Sequence, residues 1–515
     1  MKKIIALCLA LTLCLSAFAG CSGGGAGSSG GSSSGEGATS ESSASPAETG
    51  STNEAPYEVN FAYIVASTGS NMDKVREAVN ELALEELNMT VNLIPMTFSE
   101  FITQLPMMLA ANEPMDLMPL PAGQASTFIT SQYIVDLTPY LDQIPNIEDA
   151  VGDLIDAGYV GDFLTGLPMV KEAAYPCALI TRKDIMDELG YTEEDFSVST
   201  DDMSSFDQIT QLFAAVKEAH PEMTVFDGTG IMGTMIGQSY VDTLGDGFGV
   251  LANYGQETTV TNMYESDLFR QFCEIGKSWY DAGYSSQDIA VNTDASEVKM
   301  KAGNTFSTIM AHKPNTKQEK LSQTGYEWYV IPLGEAVTTN SVATLYSVAN
   351  ASKDPAKAVE FLNWVYGSGE FADLINWGIE GEDWVEAEDG TATYPEGVDA
   401  SNVGYHQDMG YMYPNQFAGH VWEGNPLDIW DQYKAYNDSC VKSLALGFTW
   451  DSSEYSTQIA QLTSVQDKYL KDVSFGVVED LDASLKAFND ELYAAGLEEV
   501  MQAKQEQLDA WLAEQ

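Results

Sequence analysis

Residues 58–66 read EVNFAYIVA and run into the turn-forming stretch STGS (67–70); NMDKVREAVNELALEEL (71–87) and MTVNLIP (89–95) follow. The first run is apolar, β-branched and aromatic, and ends on Ser and Gly, which reads as a strand. The second is rich in Ala, Glu and Leu, the residues that lose least on entering a helix. The third reads as a second strand. Phe98 to Ala111 repeats the helical composition, and Met115 to Leu120 forms a third short strand. A β-α-β-α-β order calls for a parallel sheet covered by helices, so the fold class is α/β.

The same alternation continues downstream. Short elements are expected over Ile134–Leu141 and Asn146–Ala157. Strands are expected over Tyr175–Thr181, Met223–Phe226, Thr305–Ala311, Trp328–Ile331 and Ala343–Val348. Helices are expected over Arg182–Leu189, Ser204–Ala219, Leu268–Ala282, Ala295–Ala302 and Asp354–Tyr366. In the last of these, Pro355 sits in the first turn, where its missing N–H costs little. Glu370 to Trp450 is loop-rich and full of aromatic residues, and Leu485 to Glu514 reads as one or two helices. No internal repeat stands out.

The chain carries 23 basic against 77 acidic residues, a net charge of −54. Nucleic acid is excluded as a partner, because phosphates need a positive counter-surface, and the overall field disfavours strongly anionic ligands. A hydrophobic content of 44% supports a sizeable core. With Cys8 and Cys14 in the leader and Cys21 next to it set apart, the remaining cysteines are Cys177, Cys273 and Cys440, an odd and widely spaced set. It suggests neither a disulfide framework nor a zinc site and is expected to be three buried thiols.

Upstream of the first strand, Lys2 and Lys3 precede an apolar run from Ile4 to Ala19, too short to span a bilayer. Ala19-Gly20-Cys21 resembles a bacterial lipobox, with Phe18 where Leu is usual. The resemblance implies a signal peptide over 1–20 and a lipid anchor on Cys21; ordinary cleavage near Ala19, giving a free secreted protein, is the alternative. Residues 21–55 are Gly, Ser, Ala, Thr and Glu with almost no large apolar side chain, and cannot bury a core. As a flexible tether of about 34 residues they would reach roughly 30 Å.

Thr165-Gly166-Leu167-Pro168, Tyr175 to Lys183, Asp187-Glu188-Leu189-Gly190 and the Ser204–Phe206 helix start together resemble extracellular solute-binding proteins of family 1, with Thr181-Arg182-Lys183-Asp184 where that family usually has Tyr-Asn-Lys-Asp. Lys301 to Ala311 resembles its second crossing strand, and Ser347 to Trp364 a helix that follows. Asn376 to Gly381, Asn415-Gln416-Phe417, Leu444 to Phe448 and the terminal LDAWLAEQ are similar to a subset of lipoproteins that serve oligosaccharide importers in Gram-positive bacteria. The resemblance implies a two-lobed, periplasmic-binding-protein-like fold with ligand in the cleft between lobes and crossing strands joining them. The division expected is 56–180 with 310–345 as lobe 1, 181–309 with 346–450 as lobe 2, and 451–515 as a C-terminal helical extension. It further implies a monomeric, extracytoplasmic receptor, held to the cell membrane by its lipid, that hands a carbohydrate to two transmembrane ABC permease subunits. No enzyme activity, cofactor or metal is implied. A surface glycan hydrolase and a same-fold receptor for a peptide-like or metal-chelate solute are the other readings.

A neutral sugar presents hydroxyls and one apolar ring face, so its site needs aromatic platforms and planar polar groups. Trp377, Trp384, Tyr405, Tyr411, Tyr413, Trp422 and Trp430 form a dense aromatic set, from which Trp377 and Tyr405 are the favoured contacts, with Glu380 on the loop beside Trp377. Ser70 and Asn71 follow the first strand and Gln124 the third, at positions where the family places ligand contacts. Tyr175 opens the first crossing strand, and His312, followed by Lys313, closes the second. Capping, turn formation and core packing compete for each of these residues. Gly228 to Gly233 satisfies GxGxxG, but its strand is short and the acidic residue about 20 positions on is not convincing. Gly27 to Gly31 matches GxSxG without the strand-turn-helix that would give it meaning. Asp288, Asn292, Asp294 and Glu297 miss the calcium-loop spacing and read as a solvated acidic face.

Overall fold

The computed structural model describes residues 55–121, 124–200, 202–227, 240–292, 294, 296–339 and 344–513. The leader, Cys21, the Gly/Ser tract through residue 54 and the GxGxxG loop lie outside the described residues. The leading elements are β1 (Tyr57–Ile64), α1 (Met72–Leu87), β2 (Met89–Met96), α2 (Phe98–Ala110) and β3 (Leu117–Pro121). β1 pairs in parallel with β2, from Tyr57 opposite Met89 to Ile64 opposite Met96, and on its other side with β3. Local chemistry sets the ends. Asn88 closes α1 in a left-handed conformation. Thr97 opens α2 with a capping box, its hydroxyl accepting from the Glu100 N–H while Glu100 Oε2 accepts from the Thr97 N–H at 2.8 Å.

Further along come β4 (Leu167–Pro168), β5 (Cys177–Arg182), α3 (Asp207–Ala219), β6 (Thr224–Phe226), α4 (Asp267–Asp281), β7 (Thr305–Ala311), β8 (Trp328–Pro332) and β9 (Thr344–Val348). The main helices after them are α5 (Pro355–Gly367), α6 (Gly369–Asn376), α7 (Ile429–Ser439), α8 (Ser456–Phe475), α9 (Leu481–Ala494) and α10 (Leu497–Leu512). Two sheets result. The first has the order β2-β1-β3-β9-β4, the second β8-β5-β7-β6. β9 runs antiparallel to β3, and β5 antiparallel to β7 and β8.

This pairing corrects the expected division of the chain. β8, most of β5 and the last two residues of β7, expected with residues 56–180, belong to the second sheet, while β9, whose last residues were expected with 181–309, belongs to the first. Residues 355–375 pack on that first sheet as well. A strand's apolar pattern says that it is buried but not which sheet it joins, so the crossings were misplaced.

Each sheet has its own core. Along β1, Val59, Phe61 and Tyr63 face a cluster shared with α1 and α5, while Ala62 and Ile64 face a second cluster shared with α2. Burial on both faces is why Phe61 to Val65 is a continuous apolar run. In the second sheet, Leu179 and Phe306 join α3 and α4, and α8, α9 and α10 contribute Leu462, Phe475, Phe488, Leu492, Val500 and Leu508 to the same cluster. The expected C-terminal extension is therefore a wall of the second core. α8 lies tight on α4, where a Cβ at Gly276 would meet the Ser474 carbonyl oxygen at 2.3 Å. Lys504 on α10 is 0% exposed. Its ammonium donates to Asp246 Oδ1 at 2.6 Å and to the Gly249 carbonyl at 3.2 Å, and lies 4.9 Å from the Trp450 ring centroid. Cys177, Cys273 and Cys440 are buried and not joined in disulfides. No helix among the described residues is long and apolar enough to cross a membrane.

Candidate functional site

Between β4 and β5 the chain crosses from the first sheet to the second through residues 169–176, and α7 holds that crossing in place. Asn437 accepts from the Ala173 N–H at 2.8 Å and donates to the Lys171 carbonyl at 2.7 Å; the Tyr436 hydroxyl donates to the Ala174 carbonyl at 3.3 Å. β7 ends against the same segment, with the His312 N–H donating to the Pro176 carbonyl at 2.9 Å.

Polar side chains gather there. Lys171 donates to the Tyr175 hydroxyl. The Lys313 ammonium lies 3.9 Å from Glu172, 3.5 Å from Glu319 and 5.5 Å from the Tyr411 ring centroid. Burial alone would lower Lys313, but Glu172 and Glu319 outweigh it and hold the ammonium above its usual value. Burial alone would raise Glu319, but Lys313 and Lys320 hold it below the usual carboxylate range. Burial pushes the His312 imidazole down to about 4, so it is neutral near pH 7, and its Nε2 has no partner among the described residues. Asp408 is accessible to solvent, yet desolvation, reinforced by Glu319 and partly offset by Lys313, lifts its carboxyl to about 6.

A wall of rings adjoins Asp408, whose charge raises the Tyr394 and Tyr411 phenols in addition to the larger effect of burial. His406 lies 4.5 Å from Trp422 and 5.2 Å from Tyr394, centroid to centroid, and Trp422 lies 4.8 Å from Tyr394. Burial brings His406 down to about 4 and leaves its Nδ1 unpaired. The loop after β1 is fastened to the segment that carries these rings. Gln407 accepts from the Ala66 N–H at 2.8 Å and donates to the Ser67 carbonyl at 2.9 Å. The chains approach so closely that a Cβ at Gly69 would meet the Gly404 carbonyl oxygen at 2.2 Å.

The structure brings Tyr175 and His312 together at the crossing. Ser70 and Asn71 sit on the loop after β1, where the Asn71 side chain donates to Asp383 at 2.8 Å and the exposed Ser70 hydroxyl is 3.5 Å from the Gly404 carbonyl. Gln124 is exposed at the head of a short helix and makes no side-chain cap. Trp377 and Tyr405 are turned inward instead of onto an open surface. Trp377 is 4% exposed with its indole N–H donating to the His420 carbonyl at 3.3 Å, and Tyr405 is 1% exposed with its hydroxyl on the Ile375 carbonyl at 2.9 Å. Large rings on an aperiodic segment satisfy core packing as readily as ligand stacking, and here packing holds both. Glu380 is exposed and lines a separate cavity. The sequence-based choice missed Tyr394, His406 and Asp408. The clustering of two of the chain's four histidines with Tyr394 and Trp422, between residues 394 and 422, was the available signal. Among the described residues no group of three His, Cys, Asp or Glu is placed to hold a metal ion.

Two sheets with separate cores, bridged by crossing segments that carry the polar cluster, define a two-lobed α/β binding protein. The chain belongs to the bacterial extracellular solute-binding proteins, whose family model matches residues 77–379. A second model, described as a domain of unknown function (DUF3502), matches residues 444–513. A Streptococcus pneumoniae protein described as a carbohydrate ABC transporter substrate-binding protein is 20% identical over 342 residues, 62% of this chain and 64% of that one, so the match spans less than two thirds of the relative. Among solved structures, the N-glycan transport solute-binding protein NgtS from Streptococcus pneumoniae superposes with a TM-score of 0.76 at 17% identity, covering 89% of this chain and 99% of that one. An HMO-binding, ABC-transporter-associated solute-binding protein from Bifidobacterium longum infantis gives 0.61 at 14% identity, with 89% and 99% covered.

Proposed function

We propose that this chain is a lipid-anchored extracytoplasmic receptor that captures a neutral oligosaccharide between its lobes and delivers it, unaltered, to the two permease subunits of an ABC importer. The observation that carries the reading is the juxtaposition of the Tyr394–His406–Trp422 ring wall with the polar crossing cluster of Tyr175, His312, Lys313, Glu319 and Asp408. Rings offer the apolar face of a sugar a platform. Neutral imidazoles and carboxylates offer hydroxyls both acceptors and donors without demanding a charged ligand. Glu172, Glu319 and Asp408 surround Lys313, so a polyuronate would meet net repulsion. The descriptions of the pneumococcal and bifidobacterial relatives support a carbohydrate.

Binding needs no bond-making. A ligand that touches groups on both sides of the crossing favours the closed arrangement by its differential affinity for it. Cys21 would hold the protein to the membrane while residues 22–55 let the body reach its permease. Ser70, Asn71 and Gln124 stand at the loop ends of the first sheet and complete the proposed contact set.

The test is calorimetric titration and thermal shift of the mature protein against a panel of neutral, N-acetylated and uronic oligosaccharides. Saturable binding of a neutral or N-acetylated member, with the sugar recovered intact, is expected. New reducing ends, or preference for the uronates, would overturn the reading. Acylation is read separately, from whether the protein made in a lipoprotein-competent host partitions into membranes and whether Cys21→Ser releases it.

A further inference from the structure

The loop after β1, the turn that follows Trp377 and the segment that carries the ring wall meet at one buried carboxylate. Asp383 is 0% exposed, and its two oxygens accept from all three. Oδ1 accepts from the Asn71 side chain at 2.8 Å and from the Tyr405 N–H at 2.9 Å, and Oδ2 accepts from the Ile379 N–H at 3.0 Å. The segments close on it tightly. A Cβ at Gly404 would stand 2.3 Å from Asn71 Nδ2 and 2.9 Å from Asp383 Oδ1, and one at Gly378 would stand 2.6 Å from Asp383 Oδ2. Two of the three donors adjoin the ring wall. His406 follows Tyr405 directly. Trp377, two residues before the Ile379 N–H, stands behind the wall, 5.0 Å from His406 and 4.7 Å from Trp422 between centroids.

Burying a carboxylate is costly unless donors surround it. Here both of its oxygens are needed as acceptors. A carboxamide in the same place would turn its own NH2 group onto the Ile379 N–H or onto the Asn71 and Tyr405 donors. The arrangement also fixes Asn71. A carboxylate only accepts, so Asn71 gives it Nδ2 and keeps Oδ1 as an acceptor. That oxygen does not cap α1, and no described residue donates to it. We propose that Asp383 is the positioning residue of the ligand site. Through Tyr405 it sets His406, through the 377–379 turn it sets the indole that backs His406 and Trp422, and it orients Asn71 so that Oδ1 accepts from a solute hydroxyl. The inference deepens the proposed carbohydrate site and rests on it. Asp383 itself touches no ligand; it acts through the groups that do.

The test is Asp383→Asn in the full-length mature protein, a change that keeps the size of the side chain and removes one acceptor. Affinity for the sugar that the panel identifies should fall about threefold to tenfold by calorimetry. With no ligand present, the His406 imidazole resonances should move in the NMR spectrum; the chain has four histidines, so each can be assigned by substitution. A mutant cycle separates positioning from plain stability. Added to Trp422→Ala, Asp383→Asn should cost little further affinity, because the wall it aligns is already broken. Added to His312→Ala, the two losses should multiply. If Asp383→Asn does not fold, Gly404→Ala is read in the same way, since its methyl group displaces the Asn71 amide from Asp383. Unmoved His406 resonances, unchanged affinity, or losses that multiply with Trp422→Ala would each overturn the proposal. If no sugar binds at all, the carbohydrate reading falls, and the ligand-free His406 shift alone decides whether Asp383 positions the wall.

Discussion

The two cores are completed in different ways. The first is assembled from residues 59–170, and the chain returns to finish it with β9, α5 and α6 well before its end. The second holds β5, α3 and α4 but stays open on one side until α8, α9 and α10 arrive from the far end of the chain. The first core thus takes no residue from the C-terminal segment, whereas the second shares a single core with it. The segment described as a domain of unknown function is a structural wall, since it contributes Leu462, Phe488 and Val500 to the same cluster as Phe269 and Phe272.

The largest effect should come from removing that wall. A chain ended after Ser443 is expected to lose cooperative structure in the second lobe while the first keeps its protection, measured peptide by peptide by hydrogen exchange. Retained protection over residues 177–226 would break the contrast. Next is Lys504→Met, which leaves the half-buried Asp246 without its cation and should cost about 3 kcal/mol in denaturant unfolding. The surface pair Lys74–Glu382 joins exposed side chains, so Lys74→Ala should cost under about 1 kcal/mol. Equal costs would mean that α10 is not an anchor.

The proposed ligand site sharpens the comparison, because its rings and one of its polar arms come from different sides. Trp422→Ala should weaken oligosaccharide binding roughly tenfold through lost stacking, and His312→Ala roughly fivefold through one lost hydrogen bond, both by calorimetry. A reversed order would place the ligand mainly on the second lobe.

The remaining effects are those of pH. Asp408 titrates near 6 when folded, above its ordinary value, so the folded state takes up its proton first and this group's contribution to stability falls as pH rises from about 4 to 6. His312 and His406 titrate near 4 when folded, below the ordinary histidine value, so between about 4 and 6.5 the unfolded chain holds more protons and their contribution rises with pH. Two groups of one sign against one of the other predict a net gain in stability over that window. Asp408→Asn should steepen the gain and remove any inflection near pH 6 from ligand affinity; an unchanged profile would show that Asp408 titrates elsewhere.

Much of the fold was legible in sequence because local rules fix it. The opening strands and helices, the β7 strand at Thr305–Ala311 and the Pro355 helix start all follow from run length, periodicity and turn residues. The 20-residue α8 was expected only as part of a helical extension over 451–515, not as an element of its own. It is polar for much of its length, and it sits in a core only because partners hundreds of residues away complete its buried face. The site was less legible for a related reason. Trp377 and Trp422 look alike in sequence, yet one is interior and the other part of a wall, and only the Gln407 link to the loop after β1 decides which surface the segment shows. Tyr175 and His312 were found because they flank strands whose ends the pattern locates.

The late return of α10 also governs the order in which this polypeptide can fold as it is made. Lys504 and Leu508 are needed to finish a core begun at β5, more than three hundred positions earlier. An emerging chain therefore cannot complete its second lobe before α10 has been synthesised, and long-range closure of this kind is slow. For a member of an extracellular family that delay is useful, because a chain still lacking its last wall remains threadable through a narrow export channel and locks only once it is wholly on the other side.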